Sequence, residues 1–268
     1  MNKKVRHLLS VSILIVIGAL YQNSYTGIFN PYETRELNFT IRSDSLRLYG
    51  DLQIPPFFLD QTPLVIALHM NRNNSRSYND FISFVDGNIC GGNPVKMYYC
   101  PYIIAFDLRG HGRSTTKGQD TTTYEDRDEN EYKKIPSDIA YAVNEMLSDT
   151  SLNIDTNRIY VIGASVGANV AIMLTEHLPI VSKVVMLSPG EKYIGLEPAR
   201  ALKLFDGEVL IFAGKEDNYS YRSSQNFAKI DTTRIELEVL ETGNHGTNII
   251  NNDSTAMKRM VNWLLLSE

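Results

Sequence analysis

Apolar residues fall along this chain in two rhythms. Leu64–Leu68, Tyr102–Phe106, Ile159–Ile162, Val184–Leu187 and Val209–Ala213 are short apolar runs without alternation, the pattern of strands covered on both faces. Ile235–Leu240 follows with weaker alternation. Ahead of them, Glu36–Ser43 and Leu46–Ile54 predict an antiparallel pair, with Asp44-Ser45 available for the turn. Helical spacing separates the runs. Pro136–Leu147 puts Ile139, Val143, Met146 and Leu147 on one face, with Pro136 suited to a first turn. Gly167–His177 is apolar and rich in small residues, and Ser254–Leu266 gathers Met257, Met260, Val261, Leu264 and Leu265 on one side. Strands alternating with helices predict an α/β fold: a mostly parallel central sheet flanked by helices. The polar stretch Thr115–Lys134 reads as a solvated loop.

The start of the chain follows a different rule. Lys3, Lys4, Arg6 and His7 precede the apolar run Leu8–Leu20, which is shorter than the roughly 20 residues of a membrane span and matches a secretory signal. Residues 1–30 are therefore expected to be a signal peptide or an uncleaved signal anchor, and 31–268 one catalytic domain. Export to a periplasmic, secreted or membrane-tethered location follows, with membrane contact only through that segment. The net charge is −5, and beyond the leader 23 basic side chains face 31 acidic ones. That balance gives no general reason to bind nucleic acid. Cys90 and Cys100 are the only cysteines. In an exported chain they are a candidate disulfide, requiring Cα atoms within about 7 Å; two free thiols are the alternative.

The chemistry concentrates in Gly163-Ala164-Ser165-Val166-Gly167, directly after one apolar run and before a helix. A serine on so sharp a turn needs small neighbours two positions away, and its hydroxyl then stands at the carboxyl end of the sheet. The helix N-terminus adds a favourable field for an oxyanion. Serine needs a base oriented by a third group, and in folds with such an elbow the acid and then the histidine follow it. His7, His69 and His111 precede Ser165, and His177 lies about three turns along the elbow helix. His245, in Thr242–Thr247 after the last predicted strand, is the candidate base. The acid is expected after Val209–Ala213, in Gly214-Lys215-Glu216-Asp217. Asp217 is preferred for its short, rigid arm and Glu216 is the alternative, whereas Asp206 precedes that strand. No Cys/His cluster suggests a metal, and no cofactor is expected.

Phe106-Asp107-Leu108-Arg109-Gly110-His111-Gly112-Arg113-Ser114 resembles the Asp-x-Arg-Gly-x-Gly-x-Ser turn widespread in the α/β-hydrolase superfamily. That turn is mostly architectural, so Asp107, Arg109 and His111 are read as structural. With the elbow, the resemblance runs from about residue 35 to the end. It implies that the turn Leu68-His69-Met70-Asn71 supplies a second oxyanion donor beside the Val166 N–H. Asn71 is the choice and Met70 the next. Methionine stands where the family usually has glycine, and His69 is read as a turn-stabilising residue. Leu187-Ser188-Pro189-Gly190, followed by Tyr193 and Gly195, is similar to the small lidless hydrolases related to dienelactone hydrolases. Those use cysteine where this chain has Ser165, which favours ordinary esters. About twenty residues separate Val184–Leu187 from Val209–Ala213, so no large cap is expected. Met70, Tyr193 and Tyr219 are candidate substrate contacts, with Tyr221 nearby.

The resulting expectation is a serine hydrolase that cleaves a small-molecule carboxylic ester through an acyl-enzyme, using Ser165, Asp217 and His245. Thioesterase, acyltransferase or exopeptidase chemistry on the same triad, or a silent ligand-binding member, are the alternatives. No feature specifies an oligomer.

Overall fold

The protein is represented by a computed structural model that describes residues 32–56, 61–91, 96–126 and 128–267. The expected leader, 1–30, lies outside them. Ten strands form one sheet in the order β10-β9-β8-β7-β3-β4-β2, with the short hairpin β5–β6 beyond β2 and β1 also paired to β2. These are β1 (Glu33–Ile41), β2 (Leu46–Ile54), β3 (Thr62–Leu68), β4 (Tyr102–Asp107), β5 (Thr116–Lys117), β6 (Asp120–Thr121), β7 (Ile154–Ala164), β8 (Val181–Leu187), β9 (Glu208–Gly214) and β10 (Ile235–Leu240). Six of them, from β10 to β4, run parallel, while β1–β2 and β2–β4 are antiparallel. The expected fold class and leading pair are therefore present. The β1–β2 turn has Ser45 at φ 60°, its N–H donating to the Ile41 carbonyl.

The unbroken apolar runs are doubly covered strands, as their composition predicts. In β3, Leu64, Ile66 and Leu68 enter one core and Val65 and Ala67 the other. The first core packs against the helices α2 (Glu129–Leu147) and α3 (Val166–Leu174), the second against α1 (Asn79–Val85), α6 (Asn248–Asn251) and α7 (Ser254–Val261). Two further helices, α4 (Ala199–Leu204) and α5 (Asn218–Ala228), precede and follow β9. From β3 the chain passes to β4 on one side and later to β7 on the other, which makes the carboxyl ends of β3 and β7 a topological switch point, where open α/β sheets bind ligands.

Two expectations need correction. Thr115–Lys134 is not a plain loop: it forms β5 and β6, a short turn of helix at Tyr124–Asp126, and the first six residues of α2. The Asp128 carboxylate accepts the Asn130 N–H, and Glu129 and Glu131 lie in the first turn, where acids suit the helix dipole. Pro136 therefore sits inside α2, not at its start. It is buried, and it forgoes one helical hydrogen bond. The run of charges hid the helix because Glu131 is largely buried against Arg109, Lys117 and Lys134 rather than turned to water.

Candidate active site

Every candidate catalytic segment follows the carboxyl end of a parallel strand: His69–Asn71 after β3, Ser165 after β7, Ser188 after β8, Asp217 after β9 and His245 after β10. Ser165 has φ 53° and ψ −114°, a left-handed value a β-carbon makes costly. The turn closes because its flanks lack side chains. A Cβ on Gly163 would lie 2.0 Å from the Gly167 carbonyl oxygen, and one on Gly167 would lie 2.1 Å from that of Leu68. The Ser165 N–H is tied to the Leu187 carbonyl at 2.8 Å. Val166 opens α3, so its N–H has no intrahelical acceptor and is available to a ligand.

The three expected side chains meet. His245 Nε2 lies 2.7 Å from Ser165 Oγ, and His245 Nδ1 lies 2.5 Å from Asp217 Oδ2. A carboxylate can only accept, so Nδ1 carries the proton and Nε2 is free to take the serine proton. The His245 side chain is 42% exposed and that of Asp217 17%, so the ring is open to solvent while the carboxylate is shielded. Glu216, the alternative acid, points outward beside Gly243 and is exposed.

The histidine loop is held from below. Gly246 takes φ 60°, its N–H donates to Ser188 Oγ at 3.0 Å, and a Cβ there would sit 2.7 Å from Met70 Sδ. Met70 thus packs against the residue after the base, beside Ala164. His69 is wholly buried; its Nε2 accepts the Leu108 N–H at 2.9 Å and its Nδ1 donates to the Met70 carbonyl at 2.7 Å. Burial, with His111 nearby, pushes its pKa down to about 3, so the ring is neutral and the turn is fixed by one tautomer. Asn71 does not face solvent with its amide. Its Nδ2 donates to the Tyr193 hydroxyl at 2.8 Å, and its Oδ1 accepts from Tyr132 at 3.1 Å and lies 2.8 Å from His111 Nε2. Tyr219 is half exposed, and its hydroxyl bridges the Lys192 N–H and carbonyl.

Asp107, Arg109 and His111 are all buried in the ordered turn after β4. Asp107 accepts the N–H groups of Ser75 and Arg113 and the Arg113 guanidinium. Arg109 meets Asp44, Glu131 and Asp138 at 2.6–2.7 Å. A cleft of about 780 Å3 lies beside this turn, but its carboxylates Glu36, Asp51 and Asp107 are already paired with Arg113, and neither it nor a second cleft of about 450 Å3 is lined by Ser165, Asp217 or His245. Cys90 and Cys100 are bonded, with Cα atoms 5.0 Å apart.

Reading along the chain missed Ser188 and Asn169. Along the chain Ser188 stands out only as part of its Ser-Pro-Gly run. Asn169 is a lone polar side chain in the apolar helix Val166–Leu174 and is 1% exposed; that mismatch was the available signal.

A family model described as the alpha/beta hydrolase family matches residues 91–245. An esterase from Pyrococcus furiosus is similar with a TM-score of 0.64 and 20% identity, over 90% of this chain and 94% of that one. A dienelactone hydrolase from Anabaena variabilis gives 0.62 and 14%, over 87% and 95%. An esterase from Exiguobacterium antarcticum gives 0.60 and 13%, over 85% and 98%. No curated protein matches the chain. At these identities the three structures speak to the fold.

Proposed function

We propose, on the premise that the chain belongs to the alpha/beta hydrolase family, that it hydrolyses small-molecule carboxylic esters through an acyl-enzyme on Ser165. The observation that carries this reading is the continuous hydrogen-bond path from Ser165 Oγ through the His245 ring to Asp217. His245 Nε2 takes the hydroxyl proton as Oγ attacks the ester carbonyl. The Val166 and Asn71 N–H groups receive the oxyanion. The tetrahedral adduct collapses with the C–O bond to the alcohol breaking, and His245 returns the proton to the departing oxygen. Water, deprotonated by the same ring, then attacks the acyl carbonyl and releases the carboxylate, restoring Ser165. Asp217 keeps the imidazole in its working tautomer and offsets its charge while it holds the extra proton.

The esterases among the similar structures agree with an ester as substrate. Ser165→Ala should lower turnover of p-nitrophenyl acetate by at least about a thousandfold with the thermal midpoint retained. A fluorophosphonate should label the native chain at Ser165. A folded native chain that neither turns over esters nor reacts with the label would instead be a silent ligand-binding member, and this reading would fall. The basic, then apolar, leader and the bonded Cys90–Cys100 pair support export as the setting of the activity.

A further inference from the structure

The loop that follows β8, residues 188–196, is hydrogen-bonded to Asn71 after β3, to Asn169 on α3 and to Gly246 beside His245. At its start, Ser188 takes φ 53°, binds the Phe212 carbonyl at the end of β9 through its N–H at 2.9 Å, and accepts the Gly246 N–H beside the base. In its middle, Asn169 from the second turn of α3 grips the backbone: Nδ2 donates to the Gly190 carbonyl at 2.9 Å, and Oδ1 accepts the Gly190 N–H at 3.1 Å. At its far end the loop doubles back between Tyr193 and Leu196, which exchange backbone hydrogen bonds of 3.0 and 2.9 Å across Ile194 (φ 41°) and Gly195 (φ 76°). Two positive φ values in succession make a tight reversal that matches strand twist. That reversal delivers the Tyr193 hydroxyl to the Asn71 amide at 2.8 Å.

We infer that Tyr193 and Asn169 are positioning residues that hold the two halves of the oxyanion hole at a fixed separation. The inference rests on the reading of Ser165 as nucleophile given above. One half, the Val166 N–H, belongs to the first turn of α3; the other, the Asn71 N–H, belongs to the turn after β3. The side-chain path Asn169–Gly190–Tyr193–Asn71 links that helix to that turn. The Asn169 end of this link is buried and the Asn71–Tyr193 bond part-buried, so displacement strands donors and acceptors shielded from water. The bond survives either orientation of the Asn71 amide, since a tyrosine hydroxyl donates as well as accepts. Burial pushes the His111 pKa down, and a neutral His111 bonded to the Arg109 carbonyl through Nδ1 would accept from Asn71 through Nε2, with Tyr193 donating in turn. Tyr193 thereby serves the transition state through Asn71, not by contact with substrate.

Tyr193→Phe removes only the hydroxyl, and Asn71→Ala removes its partner while leaving the backbone N–H. Each should lower kcat for p-nitrophenyl acetate by between about ten- and a hundredfold, leave KM within about twofold, and slow phosphonylation of Ser165 in parallel. In the Asn71→Ala background, Tyr193→Phe should have no further effect, because the link is already broken. Retained kcat in Tyr193→Phe would overturn the inference, as would a loss confined to KM, which would make Tyr193 a substrate contact. Additive losses in the double variant would also overturn it. Should Tyr193→Phe fail to fold, Asn71→Ala alone decides: an unchanged kcat sinks the link. A Ser165→Ala variant that stays active would instead sink the underlying reading, and the two failures are thus distinguishable.

Discussion

Asp217 and Glu216 are adjacent carboxylates after the same strand, and only the turn between them and His245 separates their surroundings. The Asp217 N–H donates to the Gly214 carbonyl at 3.1 Å, which curls the backbone so that its carboxylate meets His245; the Glu216 N–H is instead spent on the Thr242 carbonyl at 3.1 Å and its side chain goes outward. An amide at 217 would present the wrong group to Nδ1–H. Asp217→Asn should therefore lower kcat by about a thousand- to ten-thousandfold, whereas Glu216→Gln should leave it within about twofold. Steady-state kinetics of both variants check this, and a loss confined to Glu216→Gln would transfer the proposed acid role to Glu216. Gly167 shows the same dependence on distant neighbours. Its place in the motif is visible along the chain, but the reason it tolerates no Cβ is the Leu68 carbonyl, nearly one hundred positions earlier.

Among the elements, α2 is held by its acids rather than merely decorated by them. Burial alone would raise the pKa of Asp44, but hydrogen bonds and charge from Arg109 and Lys134 outweigh it and hold the carboxyl down to about 2. Glu131, gripped by Lys134, Arg109 and Lys117, is likewise held down to about 2 against burial. Asp138 runs the other way: burial lifts it although Arg109 is 2.6 Å distant. A carboxyl depressed on folding contributes stability that is complete above its unfolded pKa, about 4, and is lost as pH falls through its folded one. Asp44→Asn should thus be less stable than the native chain at pH 6, with the difference closing between about pH 4 and pH 2. Urea midpoints across that range measure it, and a difference independent of pH would remove Asp44 from the network's acid response. Buried His69 adds to acid sensitivity at milder pH, since the unfolded chain takes up its proton below about 6.5 while the folded ring does so only near 3.

At the scale of the molecule, two groups of packed helices clamp one sheet, and the candidate catalytic segments gather at one edge because all their strands are parallel. The leader and the Cys90–Cys100 bond belong to this scale too, since both concern the compartment in which the chain folds. On the export proposed above with cleavage of the leader, the intact mass should lack part of the first 30 residues and be lighter by two hydrogens than the reduced form, and reduction should cost about 2–4 kcal/mol of stability. A full-length, fully reduced product would contradict export with oxidation.

The apolar runs and the elbow glycines are legible from residues alone, because strand burial and a strained turn are local properties. The order serine, acid, histidine comes from the resemblance to the fold family, and with that order elimination among five histidines leaves His245 as the candidate. The start of α2, the pairing of His245 Nδ1 with Asp217 rather than Glu216, and the placing of the Asn71 amide on Tyr193 are visible only in the tertiary structure; along the chain Asp217 is preferred only for its shorter arm. Each depends on a partner far along the chain, such as Asn71 and Tyr193, 122 positions apart, and a hydrogen bond between such partners exists only once the sheet sets their distance. Local pattern specifies what each segment can become; packing selects which polar groups meet.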